Sequence, residues 1–409
     1  MKKIYVYWNS PSAAHMLDQV VSRFVQKGEK EFLIVAPSHI KTYSNVCVPL
    51  AALMDWYKEK GVMFQCYFPG SNNYVKHTCL SDPLQIEDMM TSAELRFPLD
   101  KVWKYHTAEG ENELVTAFVN AIRECIEVEK GVMGSIEWCL NEVMDNVLQH
   151  SASGVGYVMG QVHKEKKRVS ICVFDMGVGI YGSLKNSKYC PRTPLDGLTM
   201  ALQEKVTRDE HVGQGNGMWG LKRIIDKNGG NLTIESNAAS IRIRNGEVES
   251  GMRENYMAGD YSNATMVDFQ MDINKPISII EALNGYEPMD FWLEEHEIDD
   301  CLYFLIQKDS VGTGTRIAAQ KLKNLIFNSL NEENKKVILD FEGINVVSSS
   351  FADELIGKIV AEKGFTYFVH HFEIRNLSPF NAGVVNRSVE QRMAQKYYDD
   401  SLPDTGDDE

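Results

Sequence analysis

Residues 141–151 read NEVMDNVLQHS, and the polar side chains Glu142, Asn146 and His150 recur every four residues. That spacing stacks them on one helix face, a turn apart. Ile136, Cys139, Leu140, Val143, Met144 and Val147 recur at helical spacing on another face, which predicts a buried stripe. A solvated helix face usually carries lysine and arginine, and this one carries none. It pairs a carboxylate, which can orient or deprotonate a water, with an amide whose oxygen can ligate a hard cation such as Mg2+. His150, beside Ser151, also suits helix capping.

Two further stretches belong with it. In CVFDMGVGI (172–180) a β-rich run ends in Asp175, followed by Gly177, Gly179 and Ile180. Such glycines let a backbone turn tightly against a ligand. A carboxylate at the strand end accepts hydrogen bonds only, which suits an exocyclic amine such as that of adenine. In GQGNGMWGL (213–221), Gly213, Gly215, Gly217 and Gly220 precede a helix. Free N–H groups at a helix start form an anion site. GNGMWG also spells GxGxxG, but the dinucleotide fingerprint follows a strand, and here the polar QEKVTRDEHV precedes it. No GK[ST] follows, so the Walker pattern is absent too.

In order and spacing the three stretches resemble the GHKL, or Bergerat-fold, ATPases: gyrase B, the heat-shock chaperone ATPase, sensor histidine kinases, mismatch-repair ATPases and anti-sigma-factor serine kinases. The family's N box ExxxN is matched by Glu142 and Asn146. Its G1 box DxGxGI is matched by Asp175, Gly177, Gly179 and Ile180. Its G2 box is matched by Gly213, Gly215, Gly217 and Met218. A GGxLxIxS strand often follows in the family, and GGNLTIES (229–236) fits. The family's late threonine corresponds to Thr265, although Ala264 stands where its usual glycine would be. The resemblance spans about residues 110–272. It implies ATP and Mg2+ as ligands, with Glu142 activating the attacking group and Asn146 binding Mg2+. It makes 181–212, polar and without a clear element, an ATP lid. Lys205, Arg208 and His211 are the lid cations available to a γ-phosphate.

The flanks read as α/β. KIYVYW, EFLIVAP and VMFQCYF are strands separated by helices in a first module, 1–95. A second such pattern, 298–395, includes LYFLIQ, KVILDF and TYFVHHF as strands. KVILDFEGINVVSSSFADELIGKIV (336–360) with Arg316 resembles a STAS-like domain of the subgroup that carries SFADE and an arginine in its first helix. STAS domains serve as anti-sigma-factor antagonists. The resemblance makes Ser350 a candidate phosphoacceptor, whereas Ser348, Ser349 and Ser350 equally suit a helix N-cap. The first module echoes the last and reads as a diverged STAS-like copy. The expected organisation is therefore a central Bergerat-fold α/β sandwich at 108–273 between two STAS-like α/β domains, with a disordered acidic tail at 396–409.

Composition narrows the partners. A net charge of −15 argues against nucleic acid. No apolar run approaches the roughly 20 residues that span a bilayer, and no signal-peptide core follows the first lysines, so a cytoplasmic protein is expected. The eight cysteines include no CxxC, and the ten histidines include no HExxH. The reading is a bacterial-type signalling protein with protein partners at its STAS-like modules and self-association as a homodimer left open. Two functions remain: an ATP-dependent regulatory enzyme, either a slow ATPase or a serine kinase, and a non-catalytic ATP-gated interaction switch.

Overall fold

The computed structural model describes residues 2–6, 12–36, 41–69, 74–204, 206, 217–252, 263–285 and 296–401, the last six without their side chains. Gly213, Gly215, Lys205, Arg208 and His211 lie outside the described residues, as does most of the acidic tail. The chain forms two compact units. One comprises Met1–Ala121 with Val132–Pro288, the other Ile122–Gly131 with Met289–Glu409. The class is mixed α/β and α+β, in more than one domain, as the sequence leads one to expect. Among the described residues no helix is long and apolar enough to cross a membrane.

The first unit opens with β1 (Lys2–Tyr5), α1 (Ala13–Val25), β2 (Glu31–Val35), α2 (Ser44–Glu59) and β3 (Met63–Tyr67). The strands pair in parallel in the order β1-β2-β3. The main sheet has eight strands. They are β4 (Leu84–Gln85), β5 (Trp103–Tyr105), β6 (Gly156–His163), β7 (Arg168–Asp175), β8 (Asn231–Ser236), β9 (Ala239–Arg244), β10 (Glu247–Met252) and β11 (Thr265–Asp272). Their order is β10-β9-β8-β11-β7-β6-β5-β4. All neighbours are antiparallel except β4 and β5. The sheet thus takes in strands upstream of residue 108. β6 and β7 form the hairpin expected from the KEKK turn, with Lys167 left-handed at φ 53°.

The first unit also holds helices α3 (Ala108–Cys125, whose last four residues count with the second unit), α4 (Val132–His150), α5 (Gly179–Leu184), α6 (Pro194–Ala201) and α7 (Gly217–Asn228), besides shorter ones. The stripe of α4 is buried throughout, Ile136 and Val143 included. α4 and α7 pack on one face of the sheet, and α2 covers the other. Under α2, Leu50, Leu53 and Met54 join Met159, Cys172 and Phe174 in one core. α5 and α6 correct the expectation that 181–212 holds no element. α6 is fixed by a local device, a capping box between Thr193 and Asp196 with Pro194 at its first turn. Both helices are too short for an apolar periodicity to show.

The second unit holds β12 (Glu297–Ile298), β13 (Cys301–Leu305), α8 (Arg316–Glu332), β14 (Lys336–Asp340) and α9, which runs from 349 to 363 with a π-helical turn at Asp353–Gly357. α10 (Phe365–His371), β15 (Phe372–Arg375) and α11 (Pro379–Ser401) follow. The sheet order is β12-β13-β14-β15, with the last three strands parallel. TYFVHHF is largely helical rather than the expected strand. Its aromatic residues pair at i, i+4: Tyr367 stacks on His371 at 4.1 Å and Phe368 on Phe372 at 5.0 Å. The echo between the first and last modules therefore breaks at this point.

Candidate functional site

α4 brings Glu142 and Asn146 to one surface. The Asn146 amide donates to the Glu142 backbone carbonyl at 2.6 Å. That bond orients the side chain and leaves Oδ1 as its acceptor end. The first residue of α7, Gly217, abuts both: a Cβ there would lie 2.3 Å from Glu142 Oε2 and 3.5 Å from Asn146 Nδ2. A Cβ at Gly220 would lie 2.3 Å from the Trp138 ring of α4, so the two helices meet at glycine distance. Tyr105 pins α4 to the sheet. It crosses Gly156, and its hydroxyl donates to the Met144 carbonyl at 3.1 Å. Met218 follows Gly217 in the first turn of α7, half-buried.

Asp175 ends β7 and is 5% exposed. Its Oδ1 accepts from Gly177 N–H at 2.8 Å, and Thr265, its register partner on β11, also donates to it. Burial outweighs these donors and pushes the carboxyl up to about 7. The turn that follows is tied to the end of α4. Val178 N–H donates to the Ser151 carbonyl at 2.8 Å, and a Cβ on Gly177 would lie 1.9 Å from that oxygen. Gly179 has φ +70°, and a Cβ there would lie 2.1 Å from Asn237 Oδ1. Ile180 N–H donates to Ser236 Oγ (2.9 Å), and Tyr181 N–H to Asn237 Oδ1 (3.0 Å). Asn237 donates to the Val178 carbonyl at 3.1 Å, and Ser236 Oγ lies 3.0 Å from Thr265 Oγ1.

The structure thus brings Glu142, Asn146 and Gly217 together at one place, and Asp175, Gly177, Gly179, Ile180 and Thr265 at the next. Ser151 links the two groups. Of the sequence candidates, Gly213, Gly215 and the lid cations Lys205, Arg208 and His211 fall outside the described residues. Ser236 and Asn237, which hold the Asp175 turn, were missed as functional residues. Their signal was the Ser-Asn end of GGNLTIESN, where Asn237 and Ala238 both have positive φ, as a two-residue hairpin requires.

The electrostatics are acidic. Glu111 of α3 is 5% exposed. Burial, then the Asp145 and Glu142 charges, push its carboxyl up to about 8. Glu142 rises to about 7 through burial, then Asp145. Among the described residues no group of three or more His, Cys, Asp or Glu side chains is placed to hold a metal ion; the set offers the Asn146 oxygen, a buried acceptor at Asp175, and backbone N–H groups at the start of α7.

A family model places a STAS-like domain of unknown function (DUF4325) at residues 318–381. Those residues are a STAS-like domain. No curated protein matches the chain. Within this domain the SFADE residues do structural work. Ser348, not Ser350, is the N-cap of α9, accepting from Phe351 N–H at 3.1 Å. Ser350 Oγ lies 3.1 Å from Ser348 Oγ. Phe351 is fully buried. Asp353 accepts from Nε and Nη2 of Arg392 at 2.6 and 2.7 Å, and Arg316 reaches it at 3.2 Å. Arg392, the larger influence, and Arg316 hold its carboxyl below the usual range. Glu354, 3% exposed, pairs with Lys358 (2.7 Å) and Arg316 (3.4 Å). Arg316 thus joins the start of α8 to α9.

Proposed function

We propose that residues 108–273 bind ATP with Mg2+ in the manner of the GHKL ATPases, and that the chain is a regulatory protein in which this domain governs the STAS-like one. One observation carries the reading. Three separate sequence stretches close on each other: Gly177 lies against the Ser151 carbonyl, where a Cβ has no room, and Gly217 lies beside the Glu142 carboxylate. Each role then follows from its residue. Asp175 accepts from the adenine amine, with Thr265 beside it. Asn146 Oδ1 supplies an oxygen ligand of the kind that Mg2+ prefers. The N–H groups at the start of α7 face phosphate. Bound Mg-ATP would supply the transferable phosphoryl group. Glu142, with its carboxyl raised to about 7, can take a proton from a water or hydroxyl near neutral pH.

Calorimetry and γ-labelled ATP test this. Asp175→Asn is expected to lower nucleotide affinity tenfold or more, because a charge-assisted bond in a buried site contributes about 1.5–3 kcal/mol. Affinity within twofold of wild type would sink the assignment. Label released as free phosphate means an ATPase. Label on the protein that Ser350→Ala removes means a serine kinase acting on the STAS-like domain. Binding without either leaves an ATP-gated interaction switch.

A further inference from the structure

Helix α8 of the STAS-like domain spends a polar stripe on the backbone of residues 122–131. Its apolar side, with Leu322, Ile326 and Phe327, belongs to the core of the second unit. Lys321, Asn324, Asn328, Asn331 and Glu332 follow one another at helical spacing and share another face. Lys321 pairs with Glu124 at 2.6 Å. Asn324 donates to the Glu124 carbonyl at 2.9 Å and Asn328 to the Arg123 carbonyl at 3.0 Å. Those carbonyls lie in the last turn of α3, where a helix has no partners of its own for them. Asn328 also donates to the Ile126 carbonyl and accepts from Val128 N–H, and Asn331 donates to the Val128 carbonyl. Glu332 accepts Gly131 N–H with both oxygens, at 2.9 and 3.0 Å, immediately before α4 begins.

The stripe therefore closes the end of one helix and holds the residue before the next, and these two helices carry the acid cluster. Glu111 lies about 18 Å back along α3 from Arg123, and Glu142 about 16 Å along α4 from Gly131, at the usual rise per residue. The same α8 starts at Arg316, which holds Asp353 and Glu354 of the SFADE stretch. One helix thus grips SFADE at its start and 122–131 on its later turns. We infer that the α8 stripe couples the STAS-like domain to the nucleotide site. Its grip on 122–131 preorganises α3 and α4 for nucleotide, and bound nucleotide tightens that grip. The two effects must be equal, because a coupling free energy is reciprocal. The stripe side chains act as positioning residues, through α3 and α4. This inference rests on the nucleotide reading above.

Two measurements on the full chain test it, both with Mg2+ and a non-hydrolysable ATP analogue. Calorimetry compares wild type with Asn328→Ala and with Glu332→Ala. Asn328 is buried and Glu332 half-buried, so the second variant serves if the first does not fold. Affinity is expected to fall at least threefold in each folded variant. Hydrogen exchange in wild type is expected to slow at least threefold at the Val128 and Gly131 amides when the analogue is added. Asp175→Asn at the same analogue concentration should lose that effect. A stripe that only fastens the chain would lower the melting temperature of the variants and leave their affinity unchanged. That result overturns the inference while the nucleotide reading stands, and so does unchanged exchange in wild type that binds the analogue. No binding to wild type sinks the nucleotide reading, and the inference with it.

Discussion

Glu142 and Asn146 sit one turn apart on α4 but differ in chemistry, and they should separate in experiment. On the proposed reading, nucleotide would still have Asp175 and the start of α7 without the Glu142 carboxylate. Glu142→Ala should therefore bind ATP while turnover falls about 10²–10⁴-fold, the range for a positioned base. Asn146→Ala should instead erase the Mg2+-dependent part of the affinity, read by calorimetry with and without the metal. Unchanged turnover in Glu142→Ala would mean a different base or no chemistry at all. The acid cluster around Glu142 has a second consequence. The carboxyl of Glu111 titrates near 8 when folded against an ordinary value of 4.5. The folded state thus holds a proton that the unfolded chain has released. A raised carboxyl favours folding at low pH, and the advantage is lost as pH climbs from about 4.5 to 8. Glu111→Gln removes that ionisation. It should leave the melting temperature of the nucleotide-free protein nearly unchanged at pH 5 and raise it above wild type at pH 8. Parallel pH profiles for the two proteins would show that Glu111 is not the source.

At the scale of elements, α9 begins where three serines compete for one role, and Ser348 takes it. Ser348→Ala should cost about 1 kcal/mol, the usual loss for an N-cap. Ser350→Ala should stay within about 0.5 kcal/mol. Urea unfolding of the full chain distinguishes them, and equal losses would mean that the cap is shared. Elements with strong periodicity were legible from sequence. The stripe of α4, the β6–β7 hairpin and the helix after the glycines all appear as the spacing demands. Elements made by other means were not. α6 rests on a capping box and one buried leucine, Leu198. α10 is built from aromatic and β-branched residues that locally favour strands, and its i, i+4 ring stacking shows only once it is folded.

At the scale of the molecule, residues 122–131 join the second unit although the sequence reading placed them inside the ATP-binding region. Asn328 of α8 is the main fastening. Its amide donates to the Arg123 and Ile126 carbonyls, both at 3.0 Å, and its oxygen accepts from Val128 N–H at 2.8 Å. Asn324 and Asn331 repeat the motif on Glu124 and Val128, and Glu332 takes the Gly131 amide. Asn328→Ala would strand buried backbone groups that cost about 1–3 kcal/mol each. It should lower the stability of the second unit by about 2–4 kcal/mol. Hydrogen exchange should then speed up at Val128 and along α8 while α4 keeps its protection. Retained protection at Val128 would show that the neighbouring asparagines suffice.

By itself the sequence determined what local spacing can encode. It carried the four-residue ladder of Glu142 and Asn146, the strand ending in Asp175, the glycines that follow it, the STAS-like stretch, and the mixed α/β and α+β class. Those features depend on helix and strand periods and on glycine, which act within a few residues. Only the tertiary structure decided that Gly217 meets Glu142, that Ser236 and Asn237 hold the Asp175 turn, and that α2 seals one face of the main sheet. It also decided that 122–131 belongs with α8. In each of these the partners lie tens to hundreds of residues apart. The hydrogen-bonded contacts exist because a buried N–H or carbonyl must find a partner once the fold removes water, and α2 seats on the sheet because that buries apolar side chains; no local pattern records either requirement.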